Sequence, residues 1–212
     1  MIRDQEVVFE QIYKLERWGK GKGSGTGSDP KYCEKYLKYL ELILGDKTLG
    51  VNSVLDIGCG DWQLYGNFEW VGIDYTGCDI SQVALDLAAT RTDRKLVKVS
   101  GLAETLNLIH TVEPDLILIK DVMQHWTDEE ISYFLNELKS TSCWKYVVTS
   151  NNWKFHRDPT KNGQPRVLDR YSWAPIPVDY RALVEFGFEP IFRYPKGGFK
   201  QVMLATRGGE DV

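Results

Sequence analysis

The sequence predicts an α/β fold, a mostly parallel sheet of seven strands with helices on both faces. Three observations carry this. Val54-Leu55-Asp56-Ile57 is an apolar, partly β-branched run that enters Gly58-Cys59-Gly60 directly, as a buried parallel strand does when it runs into a tight turn. Strand and helix signals then alternate from about residue 50 to 187, which is the pattern of βαβ units. Finally, Phe188–Tyr194 and Phe199–Thr206 are separated only by Pro-Lys-Gly-Gly. Strands joined by so few residues pair antiparallel, so the sheet closes with a C-terminal hairpin.

Each element follows from its own residues. Val7, Val8, Ile12 and Leu15 recur at helical spacing, predicting an amphipathic helix over residues 3 to about 18. The glycine-rich stretch from Trp18 to Pro30 reads either as a flexible linker or as a flap whose backbone N–H groups close over a ligand. Ser28 or Asp29 caps the next helix, with Pro30 in its first turn. Tyr32, Tyr36, Leu37, Leu40 and Leu44 form that helix's apolar face, and it stops near Gly45. The first strand covers about 52–57, followed by a short helical turn over Asp61–Tyr65. The second strand ends at Asp79, because Ser81 then caps a helix through Leu85 to Ala89. Lys95–Val99 is the third strand, with a helix over about 103–110, and Asp115–Lys120 is the fourth. Thr127-Asp-Glu-Glu opens a capped helix to about Lys139, before a fifth strand at Tyr146–Thr149. Residues 151–178 form a long polar, aromatic connection, and such loops are usually functional. A helix near 179–186 precedes the hairpin. The whole reads as a single domain over 1–212, with a helical cap and flap at 1–48 and a core at 50–206.

Composition narrows the function. The 212 residues are 42% hydrophobic and 26% charged, enough for one sizeable core. A net charge of −4 argues against a broad basic footprint for nucleic acid. No apolar run approaches the ~20 residues of a membrane helix, and the polar N-terminus is unlike a secretory signal. Cys33, Cys59, Cys78 and Cys143 form no Cys-x-x-Cys pair, and most read as small buried hydrophobes. A cytoplasmic location is expected.

The glycine bend is the chemical centre. A dinucleotide fingerprint would place a third glycine at position 63, where Gln63 stands. A carboxylate in the turn suits a cationic ligand instead, and S-adenosylmethionine carries an ammonium and a sulfonium. Val-Leu-Asp-Ile-Gly-Cys-Gly resembles the first motif of class I S-adenosylmethionine-dependent methyltransferases. That resemblance implies a Rossmann-like fold, S-adenosylmethionine as cofactor and S-adenosylhomocysteine as product. It covers about residues 50–206. A third glycine common in that family is replaced here by Trp62.

The resemblance implies a cofactor site built from Asp56, Gly58, Cys59, Gly60 and Trp62 around the bend, with Asp79 and Ile80 at the ribose. Leu102 and Ala103 lie toward the adenine, Lys120 and Asp121 follow the fourth strand, and Trp18, Ser24 and Gly25 belong to the flap. Asp79 presents two acceptor oxygens to the two ribose hydroxyls. After the fourth strand, His125 is the candidate base, since an unperturbed imidazole titrates near ~6.5. Asp121 orients it or binds an acceptor hydroxyl. The bland alternative is a helix-entry histidine packed beside Trp126.

Asn151, Asn152 and Trp153, with Arg166, Asp169, Arg170 and Tyr171 in the long connection, are the candidate acceptor-binding residues. Aromatic rings with amides, carboxylates and guanidinium groups suit sugars, which have apolar faces and dense hydroxyls. An ordinary solvated loop competes with this reading. No residues show compact metal-ligand spacing, so no metal is predicted, although a divalent cation stays possible for such chemistry.

The segments Lys-Asp-Val-Met-Gln-His-Trp and Arg-Val-Leu-Asp, with the glycine-rich flap and Gly-Cys-Gly-Asp-Trp-Gln, are similar to small bacterial and viral methyltransferases. Some of these are appended to glycosyltransferases that build surface glycans. This resemblance implies methylation of a sugar hydroxyl of a glycan, with glycosyltransferases as working partners. Two alternatives stay open: another acceptor (a small-molecule hydroxyl, a protein or a nucleic acid), or a cofactor-binding module without catalysis.

Overall fold

A computed structural model describes residues 5–19, 21, 23–154, 174–194 and 199–208. The parallel strands are β1 (Ser53–Ile57), β2 (Asp74–Asp79), β3 (Lys95–Lys98), β4 (Leu116–Lys120) and β5 (Tyr146–Asn152). The hairpin adds β6 (Glu189–Tyr194) and β7 (Lys200–Thr206). They form one sheet in the order β3-β2-β1-β4-β5-β7-β6, with β7 antiparallel to both neighbours. Strand order reverses between β1 and β4. In open α/β sheets that reversal opens a crevice beyond the strands' carboxyl ends.

Strand alternation divides the core in two. Leu55, Ile57, Ile117, Ile119 and Val147 face a layer built by α4 (Leu102–Val112), α5 (Asp128–Ser140) and α6 (Arg181–Phe186). Val54, Leu118 and Val148 face the opposite layer, with Tyr36 and Leu40 of α2 (Pro30–Gly45) and Ala88 of α3 (Gln82–Ala89). The helix starts are chemically specified. Asp29 accepts from Lys31 N ahead of Pro30, and Ser81 accepts from Ala84 N. Thr127 and Glu130 make a reciprocal capping box, with Glu130 N to Thr127 Oγ1 at 3.1 Å and Thr127 N to Glu130 Oε2 at 2.7 Å. Thr127→Ala is expected to lower the unfolding free energy by about 1 kcal/mol, measured by chemical denaturation.

The structure differs from the sequence reading in several places. The N-terminal helix α1 is shorter, Gln5–Lys14, and leaves Val7 and Leu15 more than half exposed. It lies across the sheet edge; of the predicted stripe Ile12 is buried, beside Tyr13, while Phe9 and Tyr13 line the cleft. The turn after the bend is a 3-10 turn at Gln63–Tyr65, starting later than Asp61. β5 continues past Thr149 to Asn152, because β7 supplies partners for Ser150, Asn151 and Asn152. The two asparagines therefore belong to a strand, not a loop. Cys143 is only half-buried, unlike the other three cysteines, and all four are free thiols. Arg166, Asp169, Arg170 and Tyr171 lie outside the described residues. Among the described residues, no helix is long and apolar enough to cross a membrane.

Candidate active site

A cleft of about 770 Å³ opens at the β1/β4 reversal. The glycine bend forms its floor. Gly58 and Cys59 donate their N–H groups to Cys78 O at 2.8 and 3.0 Å, and Gly60 N donates to Asp79 Oδ2 at 3.0 Å. Both glycines have positive φ, 72° and 62°. A Cβ on Gly58 would stand 2.3 Å from Val122 Cγ2, and one on Gly60 2.5 Å from Ser24 Oγ. Only glycine fits either position.

Trp62 also has a left-handed backbone, φ 67°. This is a conformation that glycine adopts without strain. The indole is buried and packs edge-on to Tyr75 at 4.9 Å and Tyr65 at 5.5 Å. Left-handed strain of about 1–2 kcal/mol is smaller than the about 3–5 kcal/mol carried by a buried aromatic ring, so packing wins. Trp62→Gly is expected to destabilise the fold by a net of about 2–3 kcal/mol in denaturant titrations.

Asp79 lines the cleft at the end of β2 and is only 8% exposed. It also accepts from Ser81 N at 2.8 Å. Burial pushes its carboxyl up to about 6, against the pull of the Ser81 and Gly60 N–H groups. Asp56 is placed differently. Strand alternation points it the same way as Val54, where it accepts from Tyr75 Oη at 2.8 Å. It is not part of the main cleft wall. It lines a separate cavity of about 20 Å³ with Ser24, Ser28, Tyr65 and Lys120. Burial pushes its carboxyl up to about 7, with Tyr75 opposing.

The Asp56 shift has a stability consequence. Unfolded, its carboxyl loses its proton near 3.8; folded, it keeps it until about 7. Its contribution to stability therefore falls as pH rises across that window, and the loss is complete above it. Asp56→Asn removes this dependence. The variant's melting temperature relative to wild type is expected to be higher at pH 8 than at pH 5.

The glycine-rich segment forms a wall. Ser24 Oγ donates to Asp61 Oδ1 at 2.6 Å and lies 2.9 Å from Tyr13 Oη. Gln63 Nε2 donates to Gly25 O at 3.2 Å, and Lys120 Nζ to Gly27 O at 2.7 Å. Trp18 packs on Phe9 and Tyr13. Above it, α1 bridges the cleft: Gln5 Nε2 donates to Glu130 Oε2 at 3.2 Å on one side, and Glu6 pairs with Lys98 at 3.0 Å on the other.

At the far end, Asp121 takes a left-handed backbone, φ 61°, and donates its N–H to Ser150 O at 2.7 Å. Its side chain lies between two buried ammonium groups, bonded to Lys120 Nζ at 2.6 Å and to Lys200 Nζ. Burial works to raise the Asp121 carboxyl, but the lysines outweigh it and hold it below the ordinary range. Burial also works against the Lys120 ammonium, and Asp121 together with the other groups around it holds it above the ordinary lysine value. Lys200 is pulled down by burial, with Asp121 opposing only in part. His125 lines the cleft in the turn Met123–His125, edge-on to Phe9 at 5.1 Å. Asn152 lines it too. Its backbone N–H donates to Gln124 Oε1 at 3.0 Å, and its own buried Oδ1 has no partner among the described residues.

The cleft thus gathers Gly58, Cys59, Gly60, Asp79, Ile80, Leu102, Lys120, Asp121, His125 and Asn152, with Trp18, Ser24 and Gly25. Asp56, Trp62, Ala103, Asn151 and Trp153 are not on its wall. Asn151 Nδ2 is turned to Thr149 Oγ1 at 2.7 Å, and Trp153 packs against Phe199 and Arg193. Sequence reasoning missed Phe9, Tyr13, Gln124 and Lys200, which line it. Among the described residues, no group of three or more His, Cys, Asp or Glu residues is placed to hold a metal.

Comparisons with known proteins agree with this architecture. Residues 54–141 match the family model described as a methyltransferase domain. A search of curated proteins finds no match. Among solved structures, the chain resembles magnesium protoporphyrin IX methyltransferase (ChlM) from Synechocystis PCC 6803 with bound SAH. The TM-score is 0.69 at 17% identity, covering 97% of this chain and 100% of that one. It also resembles the methyltransferase domain of bacterial CtHen1-CN, with TM-score 0.56, 18% identity, and 82% and 98% of the two chains covered. A third is the bifunctional kinase-methyltransferase WbdD, with TM-score 0.62, 17% identity, 82% of this chain and 40% of that one. The protein has the fold of class I S-adenosylmethionine-dependent methyltransferases, and residues 54–141, its β1–α5 segment, match the methyltransferase-domain model.

The residues present fit S-adenosylmethionine. Gly58 and Gly60 line the cleft, and their positive φ lays the backbone of the bend along its floor. Asp79 offers acceptor oxygens to vicinal ribose hydroxyls, and Ile80, Val99 and Leu102 give an apolar wall for a purine. No atom lies within 4 Å of a Cβ placed on Gly101, so the cleft stays open beside that wall.

Proposed function

We propose that the protein transfers a methyl group from S-adenosylmethionine to a hydroxyl oxygen of a sugar in a glycan. The observation that carries this is Asn152 Oδ1, a buried acceptor on the cleft wall with no donor among the described residues. A buried unpaired oxygen costs about 1–3 kcal/mol, and an acceptor hydroxyl entering the cleft supplies the missing donor. Gln124, His125 and Asp121 line the same end, which makes it polar enough for a hydroxyl-rich molecule. The similarity of the Gly-Cys-Gly-Asp-Trp-Gln and Lys-Asp-Val-Met-Gln-His-Trp segments to glycan-associated methyltransferases points the same way.

When bound, S-adenosylmethionine supplies a methyl carbon made electrophilic by its positive sulfur. The protein's own contribution is alignment and a proton acceptor. Asn152 and Gln124 would orient the hydroxyl and His125 would take up its proton, the methyl carbon leaving sulfur so that S-adenosylhomocysteine remains. Asp121, held by two lysines, keeps the end of β4 in place. The bridging helix α1 and the docked flap exclude water from the reacting oxygen.

The test is incorporation of labelled methyl from S-adenosylmethionine into glycans, RNA and peptides in parallel. Preferential labelling of glycan, with the label stable to mild base as an ether is, is expected. Labelling of RNA or peptide alone would replace the sugar acceptor, and cofactor binding without turnover on any acceptor would indicate a non-catalytic module. His125→Ala is expected to lower turnover 100-fold or more, in the range of general-base catalysis of roughly 10²–10⁴, with cofactor affinity unchanged. Equal turnover would remove His125 as the base.

A further inference from the structure

We infer that the sugar acceptor is acidic, carrying a carboxylate or phosphate beside the methylated hydroxyl, and that the Lys200 ammonium binds this anion. The inference rests on the methyl-transfer reading above and narrows its substrate class.

The argument begins with charge. Lys120, Lys200 and Asp121 form one buried cluster, with lysine side chains 5% and 3% exposed. Two ammonium groups share one carboxylate. Buried charge is costly unless paired, so a surplus cation inside a binding cleft calls for an anion. The other groups acting on Lys200 do not supply one. Burial raises the Cys33 thiol, so it stays neutral, and Lys120 adds a like charge. Tyr194, which faces Lys120, is likewise raised by burial and neutral. Lys120 is already bonded to the flap carbonyl of Gly27 as well as to Asp121, whereas Asp121 is the one hydrogen-bond partner of Lys200 Nζ among the described residues. Lys200 is thus the ammonium with bonds to spare, since an ammonium has three donors.

Register fixes where the anion would sit. Lys200 pairs directly with Asn152 across β7 and β5. Side chains of opposed residues project on one face with Cβ atoms about 4.5–5.5 Å apart. Both residues line the cleft. An unpaired oxygen that wants a hydroxyl and a cation that wants an anion are therefore neighbours. That spacing matches a sugar bearing an acid group next to a free hydroxyl. The cofactor's own carboxylate is the competing anion. The glycine bend and Asp79 stand on β1 and β2, across β4 and β5 from β7. At about 4.8 Å per strand the Lys200 backbone lies some 14 Å from β1, while its ammonium reaches back to Asp121 at the end of β4, so the S-adenosylhomocysteine titration below separates the two anions.

The test uses the full chain saturated with S-adenosylhomocysteine and three oligosaccharides of equal length: neutral, uronate-containing and phosphate-bearing. Affinities are measured by calorimetry for wild type, Lys200→Gln and Lys200→Arg, with thermal melting and S-adenosylhomocysteine affinity recorded for each. Wild type is expected to bind at least one acidic member tenfold or more tighter than the neutral one, and the uronate and phosphate arms identify which acid. Lys200→Gln should erase the preference, Lys200→Arg should keep it, and neither should change S-adenosylhomocysteine affinity by more than about twofold. Equal binding of all three sugars by wild type overturns the inference and leaves sugar methylation standing. A preference that survives in Lys200→Gln overturns the role of Lys200. Loss of S-adenosylhomocysteine affinity in a folded Lys200→Gln assigns the lysine to the cofactor instead. If none of the sugars binds, the inference and the sugar reading fall together.

Discussion

Asp79→Asn is expected to weaken S-adenosylhomocysteine binding by roughly 30- to 1,000-fold. The carboxylate accepts from Gly60 N and Ser81 N while lining the cleft. An amide of the same shape has one acceptor oxygen, so its NH2 must face either a backbone N–H or the ribose. Hydrogen bonds to charged groups contribute about 1.5–3 kcal/mol each, so losing one weakens binding roughly 10- to 150-fold and partial loss of a second carries it to the upper end of the stated range. Because burial pushes this carboxyl up to about 6, the ionised form is lost as pH falls through that value. Wild-type affinity should therefore decline below pH 6, and the Asn variant should show no such decline. Calorimetric titration from pH 5 to 8 checks both.

Asp121→Ala is expected to lower the unfolding free energy by about 3–5 kcal/mol. Removing one partner of a buried ion pair strands the other, and here it strands two ammonium groups close together. The Asn variant keeps the shape and an acceptor oxygen, and should lose less. Double substitution, Asp121→Ala with Lys200→Met, should recover part of the loss, because it removes one stranded charge. Denaturant unfolding of these variants and of Lys200→Met alone measures this coupling. Additive losses would contradict a shared cluster.

The parts of the site that sequence made legible are local. Gly-x-Gly after an apolar strand needs only its own residues to form a bend. The end of β2 at Asp79 could be placed because Ser81, two residues on, is a helix cap. The parallel core was legible through runs such as Leu116–Ile119, which are buried on both faces. What sequence hid depends on distant partners. β5 runs on to Asn152 because β7, some 50 residues later, pairs with Ser150–Asn152. The same pairing brings Lys200 into the cleft, and a single lysine at a strand start has no local signature. The helix α1 crosses the sheet edge and turns Phe9 and Tyr13 to the site, so its aliphatic spacing found Ile12 but not the aromatic residues beside it. Asp56 was assigned to the cofactor by motif position, whereas two-residue alternation already aligned it with Val54 and the tyrosine layer.

The central claim is that the glycine bend and Asp79 hold one end of a methyl donor while the Asp121 end receives the acceptor. Titrating S-adenosylhomocysteine into wild type, Asp79→Asn and His125→Ala tests it most directly. The account predicts one site per chain, affinity largely lost in the Asp79 variant and retained in the His125 variant. Undiminished binding to a folded Asp79→Asn protein, or no binding to wild type under conditions where a nicotinamide or flavin nucleotide binds, would contradict it.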